Sequence, residues 1–200
     1  MVGRTPEEAL DAFLDRFRRT VQCIAPAEMF GSGFALRRIN SVTLIPHGGH
    51  AGSLVPLQTS DGRCDLLLAI YEQYTVVHVP DDIQRCQRCP FRISAAYYSY
   101  DIHDRNGREI LLYQWRPEGV SFVTFPHLHV KQTNPISLDP GSRSLEPRTV
   151  SVSDMHLPTN HVLLEDIVEL LVREFDIRSR REDWANVLQQ NREMVRAGRL

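Results

Sequence analysis

The fold is decided by residues 94–131, SAAYYSYDIHDRNGREILLYQWRPEGVSFVTFPHLHVK. Two aromatic-rich apolar runs in this stretch meet at Asn106-Gly107. An Asn-Gly pair between alternating apolar runs is the strongest short-range signal for a two-residue hairpin turn. A third run follows the Pro-Glu-Gly break at 117–119 and ends in PHLHVK at 126–131. The stretch therefore predicts three consecutive strands joined by short connections.

The third predicted strand carries polar side chains on one face. Successive side chains of a strand point to opposite faces, so His127, His129 and Lys131 share one face. Leu128 and Val130 share the other. Two imidazoles and an ammonium, spaced about 7 Å apart along the strand, form the most chemically distinctive group in the sequence.

Amphipathic helices are predicted at both ends of the chain. A capping-box pattern with proline at the first helical position opens residues 1–25, which we expect to be helical until Pro26. The apolar stripe of this helix leaves Arg16 among the residues expected outside. Residues 161–198 are the predicted helical end, with one helix over 163–175 and a second that begins at a Ser-Arg-Arg-Glu capping box.

The order of helix, strands and helices predicts an α+β fold in a single domain of residues 1–200. We expect a mostly antiparallel sheet of four to six strands over residues 34–131, one N-terminal helix and two C-terminal helices. Residues 132–148 contain Asn-Pro, Asp-Pro-Gly and Glu-Pro breaks and are expected to form a long loop. Helices covering one sheet face would leave the other for a site.

Composition bounds the function classes. Of 200 residues, 42% are hydrophobic and 24% are charged, as in ordinary globular proteins. The formal net charge of -2 argues against attraction of the whole protein to nucleic acid but leaves room for a local basic groove. No signal peptide or membrane span is visible, so we expect a cytoplasmic protein with no membrane partner. The four cysteines are then expected to be reduced.

The histidine pair suggests acid–base chemistry. An imidazole pKa near neutrality suits both general acid and general base, so His127 and His129 are candidate catalytic residues. RNA cleavage by attack of a 2′-hydroxyl would also need a cation for the phosphate, which Lys131 or Arg116 would supply. The alternative is that the histidines are structural side chains at the rim of the sheet.

The same pair also suits a metal ion. Neutral imidazole is a common ligand of zinc, but a metal site needs a third ligand from elsewhere in the chain. The candidates for that position are His103, His156, His161, Asp101 and Asp104. Cys86-x-x-Cys89 has the spacing of a metal knuckle and is a weaker alternative. No phosphate loop or GxGxxG motif occurs, and no cofactor is predicted.

Aromatic side chains accompany the hairpin. Tyr113 and Trp115, together with His103 and Arg116, are the predicted substrate-binding residues, because exposed rings stack on RNA bases and guanidinium groups bind phosphate. If the rings are buried instead, they belong to the hydrophobic core. The sequence leaves both interpretations open.

A family resemblance follows from the order of these motifs. The Asp-Arg-Asn-Gly turn, the strand ending in Tyr-x-Trp, the FPHLHV strand and a later Leu-Glu-Asp helix resemble the TumE-like toxin family. The matching segments are 100–116, 125–130 and 164–166, and His127 and His129 are the residues that carry over. The resemblance implies the toxin of a bacterial toxin–antitoxin pair, inhibited by a helix-turn-helix antitoxin.

Three functions therefore stand as hypotheses. The first is an RNA-directed, toxin-like ribonuclease that uses no metal, with RNA and an antitoxin protein as partners. The second is a non-enzymatic protein-interaction module with structural histidines. The third is a metal-binding protein that uses His127, His129 and a third ligand such as His103, His156 or Asp101. The sequence leaves the oligomeric state open.

Overall fold

The structure is a computed structural model. It describes residues 2–26, 35–38, 41–44, 54–79, 90–118, 123–131, 136–138, 148–150 and 155–197, with the backbone alone for the four short strands at 35–38, 41–44, 136–138 and 148–150. Cys86 and Cys89 lie outside the described residues, and so does the metal knuckle predicted for them.

The described elements follow an order of one helix, a long series of strands and two helices. The helices are α1 (Pro6–Val21), α2 (Leu164–Glu174) and α3 (Trp184–Ala197). The strands are β1 (Val2–Gly3), β2 (Ala35–Arg38), β3 (Ser41–Leu44), β4 (Leu54–Leu57), β5 (Leu66–His78), β6 (Phe91–Asp104), β7 (Glu109–Trp115), β8 (His127–Val130), β9 (Ile136–Leu138), β10 (Arg148–Val150) and β11 (Leu157–Pro158).

One large antiparallel sheet dominates the described part of the chain. Its strand order is β11-β8-β7-β6-β5-β3-β2, with β1 paired to β6 and β4 paired to β5. The predicted α+β class, with one N-terminal and two C-terminal helices, is confirmed. The sheet has more strands than the four to six expected, because strands of two to four residues extend its edges.

The helices cover one face of this sheet. Apolar side chains of α1 and α2, such as Phe13, Phe17 and Leu171, are buried in one cluster with Leu68 and Tyr100 of the central strands. The Thr5 hydroxyl accepts a hydrogen bond from the Glu8 N–H at 3.2 Å, so α1 begins at the predicted cap. The other face of the sheet carries polar side chains such as Asp101 and His129 together with apolar ones such as Leu112.

Two connections differ from their predictions. The hairpin turn has three residues, because Asp104 N–H donates to the Arg108 carbonyl and Gly107 takes a φ of 77°. This is the geometry of a three-residue loop that ends in a left-handed residue, which glycine adopts without strain. Residues 132–148, expected as a loop, contain β9, which pairs with β10.

The start of the last helix also differs from its prediction. The Ser179 hydroxyl accepts from the Arg181 N–H at 3.2 Å and so closes a local turn, and α3 begins only at Trp184.

Among the described residues, no helix combines the length and the apolar character that a bilayer crossing requires.

Candidate functional site

Three histidines meet at one end of the sheet. The ligand nitrogens of His127, His129 and His156 all lie within 4.8 Å of one another. The ring centroids of His129 and His156 are 4.5 Å apart, and His127 lies 4.9 Å from each of the other two. We call this group the three-histidine cluster. Among the described residues it is the group of three or more potential metal ligands that the structure brings together.

Strand register explains how a distant residue joins the pair. Leu157 of β11 lies opposite Leu128 of β8, and Pro158 lies opposite His127. Continuing this antiparallel register by one residue places His156 opposite His129. Directly opposed residues of antiparallel strands point to the same face, so His156 reaches the face that carries the pair.

The cluster lies on the face of the sheet away from the helices. Leu128 of β8 lies opposite Tyr113 of β7, which lies opposite Tyr100 of the core, so Leu128 is on the helix-covered side. His127 and His129 alternate with Leu128 and therefore point the other way. They are nevertheless 4% and 8% exposed, whereas His156 is exposed. The cluster is thus buried at its base and open at His156.

One hydrogen bond fixes the tautomer of His127. Its Nδ1 lies 2.9 Å from the Phe125 carbonyl oxygen. A carbonyl oxygen can only accept, so Nδ1 carries a proton, and in the neutral form of the ring Nε2 presents a lone pair. A histidine oriented by a backbone carbonyl through its other nitrogen is the usual arrangement of a metal ligand.

The predicted cation lies at the end of the same strand. Lys131 follows β8, and its Nζ lies 3.7 Å from a carboxylate oxygen of Glu109. His103 lies opposite Glu109 in the β6–β7 pairing, and its Nδ1 is 3.2 Å from the Gly107 carbonyl oxygen. His103 therefore belongs to the hairpin end and is not part of the three-histidine cluster.

The predicted substrate-binding residues divide between the two faces. Tyr113 and Trp115 pack against the core on the helix side, where Trp115 lies 4.4 Å from His161 between ring centroids. Arg116 is exposed and stands over the ring of Tyr97 at 6.0 Å. Gln114, which lies opposite His127, donates a hydrogen bond to the Tyr97 hydroxyl at 3.0 Å. Arg116 therefore lies on the same face of the sheet as the histidines, whereas the rings of Tyr113 and Trp115 lie on the opposite face.

The remaining candidates for the third ligand lie elsewhere. Asp101 is on the histidine face, but Leu112 separates it from His129, which puts two strand spacings of about 5 Å each between them. Burial raises the pKa of its carboxyl, while a hydrogen bond from Ser99 opposes that shift. Asp104 accepts hydrogen bonds in the hairpin turn, and His161 packs on Trp115.

A second group of polar side chains is buried on the helix-covered face. Arg16 of α1 donates two hydrogen bonds of 2.7 Å to the carboxylate of Glu165 in α2. The Thr20 hydroxyl donates to the same carboxylate at 2.7 Å. Arg16 was expected on the outer surface, but it is only 4% exposed. The sequence feature that indicates its burial is its position next to the apolar stripe of α1, one turn before Thr20.

Glu72 is the second carboxyl group in this buried region. It is 0% exposed and accepts hydrogen bonds from the hydroxyls of Tyr74 and Tyr100. Burial raises its pKa, and the nearby Arg16 guanidinium opposes the shift. The sequence signal was the alternation of Leu68, Ile70 and Glu72, which puts the carboxyl on the core face of β5.

The raised pKa of Glu72 predicts a dependence of stability on pH. A carboxyl with a raised pKa in the folded state stabilises fully below its unfolded value of about 4.5, and this contribution is lost as pH rises through the raised pKa. Glu72→Gln removes the titration and keeps an amide for the tyrosines. We expect the variant to lose less stability relative to wild type at pH 8 than at pH 5, measured by urea unfolding.

A difference between the two proteins that is constant with pH would contradict this prediction. The pKa of Glu165 is shifted downward, since Arg16 and Thr20 stabilise its ionised form against the burial that raises it. Its contribution is present in both proteins and is lost only as pH falls, so it cannot produce the expected difference.

No family model, curated protein or solved structure matches this chain. The resemblance to TumE-like toxins therefore stays a prediction from the sequence.

Proposed function

We propose that the protein binds one divalent transition-metal ion at the three-histidine cluster and uses it for hydrolysis. The convergence of three imidazole ligands from two strands carries this proposal. Catalytic zinc sites use three protein ligands and keep a fourth position for water, whereas structural sites use four. Imidazole ligands suit zinc better than calcium or magnesium, which prefer oxygen.

The distances support closure around a single ion. Nitrogen ligands of tetrahedral zinc lie about 2.1 Å from the metal and therefore about 3.4 Å from one another. The ligand atoms here lie within 4.8 Å, so the rings need to approach by about 1.4 Å at most. His127 and His129 are buried in β8, whereas His156 is exposed to solvent.

The surroundings favour an anionic substrate. A bound zinc ion would lower the pKa of its water to about 7 and so supply a hydroxide nucleophile. Arg116 lies on the same face, and Gln114 and Tyr97 connect its position to that of His127. A guanidinium group binds two oxygens of a phosphate at once, which makes a phosphate ester the proposed substrate class.

The test is metal binding by protein purified without a histidine tag. After dialysis against buffered zinc, we expect about one zinc ion per chain by elemental analysis, because the cluster offers one set of ligands. Cobalt in place of zinc should give the intense visible absorption of a tetrahedral site. Less than about a tenth of an ion per chain would overturn the proposal.

The RNA-directed toxin is the second candidate. The 4.9 Å between the ring centroids of His127 and His129 favours it, since one imidazole could act as acid and the other as base on one phosphodiester. Lys131 or Arg116 would bind the phosphate, and an antitoxin protein would be the partner. This mechanism needs no metal, so RNA cleavage by metal-free protein would support it over the first candidate. If the protein neither binds metal nor cleaves RNA, the non-enzymatic protein-interaction module remains as the candidate function.

A further inference from the structure

A cavity lies between the helices and the sheet, on the face opposite the three-histidine cluster. Its volume is about 290 Å³, and its walls come from α1, β5, β6, the start of α2 and α3. Phe13, Tyr98, Val162 and Val195 supply apolar and aromatic surface, and Arg16 and Arg92 supply guanidinium groups. This volume is close to the lower limit for small-molecule pockets, so a ligand of about ten non-hydrogen atoms would fit.

The sheet is interrupted beside this cavity. One edge of β6 pairs with β1 at Phe91 and Arg92 and with β7 from Tyr98 onward. Between these points, at residues 93–97, neither neighbour pairs with that edge. The register with β5 also shifts here, because Gln73 lies opposite Tyr97 and Tyr74 lies opposite Ala95. This is a β-bulge, a feature that is enriched next to binding sites.

Arg16 presents unused hydrogen-bond donors to the cavity. Its Nε and Nη2 donate to Glu165, and Nη1 makes no hydrogen bond within the described part of the chain. The side chain is 4% exposed and lines the cavity. A guanidinium group that lines the cavity can donate a charge-assisted hydrogen bond to a ligand oxygen placed there.

The charges around the cavity favour an anionic oxygen. Glu165 is paired with Arg16, and the Glu72 carboxyl is turned toward the Tyr74 and Tyr100 hydroxyls. The lining of the cavity therefore includes two guanidinium groups, from Arg16 and Arg92. Guanidinium groups bind carboxylates through charge-assisted hydrogen bonds.

We infer that this cavity binds a small organic carboxylate, with its anionic group at Arg16 and its apolar body against Phe13, Val162 and Val195. This site is independent of the three-histidine cluster, because the sheet separates the two. The protein would then carry a ligand site on one face and a metal site on the other.

The test compares a carboxylate with its uncharged amide. Phenylacetate and phenylacetamide have the same shape, and so do hexanoate and hexanamide. In calorimetric titrations of the full chain, we expect at least one carboxylate to bind about tenfold or more tightly than its amide, because only the carboxylate forms charge-assisted bonds. Equal affinity within both pairs, or no binding of either carboxylate, would overturn the inference.

Variants locate the binding in the cavity. Ala95 lines the cavity and packs against the core, so Ala95→Leu fills part of the space. We expect carboxylate affinity to fall at least about tenfold in this variant. Ala12→Leu, on the exposed side of α1, adds the same atoms and should bind as wild type does. Should Ala95→Leu fail to fold, Val195→Phe fills the cavity from α3. Unchanged affinity in a folded cavity-filling variant would contradict the inference.

Discussion

Replacing Arg16 by methionine is expected to lower the free energy of unfolding by about 3–5 kcal/mol. The variant leaves the Glu165 carboxylate buried without its cation, and Glu165 is 0% exposed. The Thr20 hydroxyl still donates to it, but one neutral hydrogen bond does not offset the desolvation of a charge. Denaturation in urea at pH 7 measures the loss.

Two further variants make this prediction specific. Arg18→Met changes an exposed arginine of the same helix, and its effect should stay within about 0.5 kcal/mol. Arg16→Met combined with Glu165→Leu removes both charges, so Thr20 can donate to the Arg16 carbonyl alone. We expect the double variant to be more stable than Arg16→Met. A loss below about 1 kcal/mol in the single variant would mean that the pair contributes little.

His129→Ala is expected to weaken zinc binding at least about 100-fold. Substituting a residue that only orients a metal ligand already lowers metal affinity about 10- to 100-fold, and His129 is itself a proposed ligand. His129 is a buried member of the cluster, with His127 on its own strand and His156 across the strand pairing. Competition with a chromophoric chelator measures the affinity. His103→Ala serves as the matched control, because His103 lies at the hairpin end of the same face.

Two results would contradict this assignment. Equal weakening in both variants would indicate a general loss of structure or a site nearer the hairpin. Full affinity in His129→Ala would place the bound metal outside the three-histidine cluster. His156→Ala should resemble His129→Ala, because His156 supplies the third ligand and has no substitute among the described residues.

Alternation along strands accounts for what the sequence predicted well. The two histidines of the PHLHVK strand lie on one face, as their spacing of two residues requires. The third ligand could not be chosen in the same way. Five candidates stood in the sequence, and only the pairing of β11 with β8 selects His156. A contact between strands that are distant in sequence leaves no local pattern to read.

The buried charges were missed for a related reason. Arginine is a residue type expected at exposed positions of a helix, and only the pairing with Glu165 in α2 makes the burial of Arg16 favourable. The burial of Glu72 could have been predicted, because alternation along β5 puts it on the same face as the buried Leu68 and Ile70. Tyr113 and Trp115 show the same rule, since alternation with Gln114 puts them on the helix side. The alternation of side chains along a strand predicts which face a residue occupies. Which neighbouring residue completes a site depends instead on how the strands pair.

The pairing of Arg16 with Glu165 also constrains the order of events during synthesis. These partners are separated by 149 positions in the chain. A ribosome adding about 5–20 residues per second needs roughly 7–30 s to cover that interval. Throughout it, α1 has emerged while its partner helix does not yet exist, so its arginine and apolar stripe face water or a chaperone. The helix α1 can therefore complete its docking only after translation has passed α2.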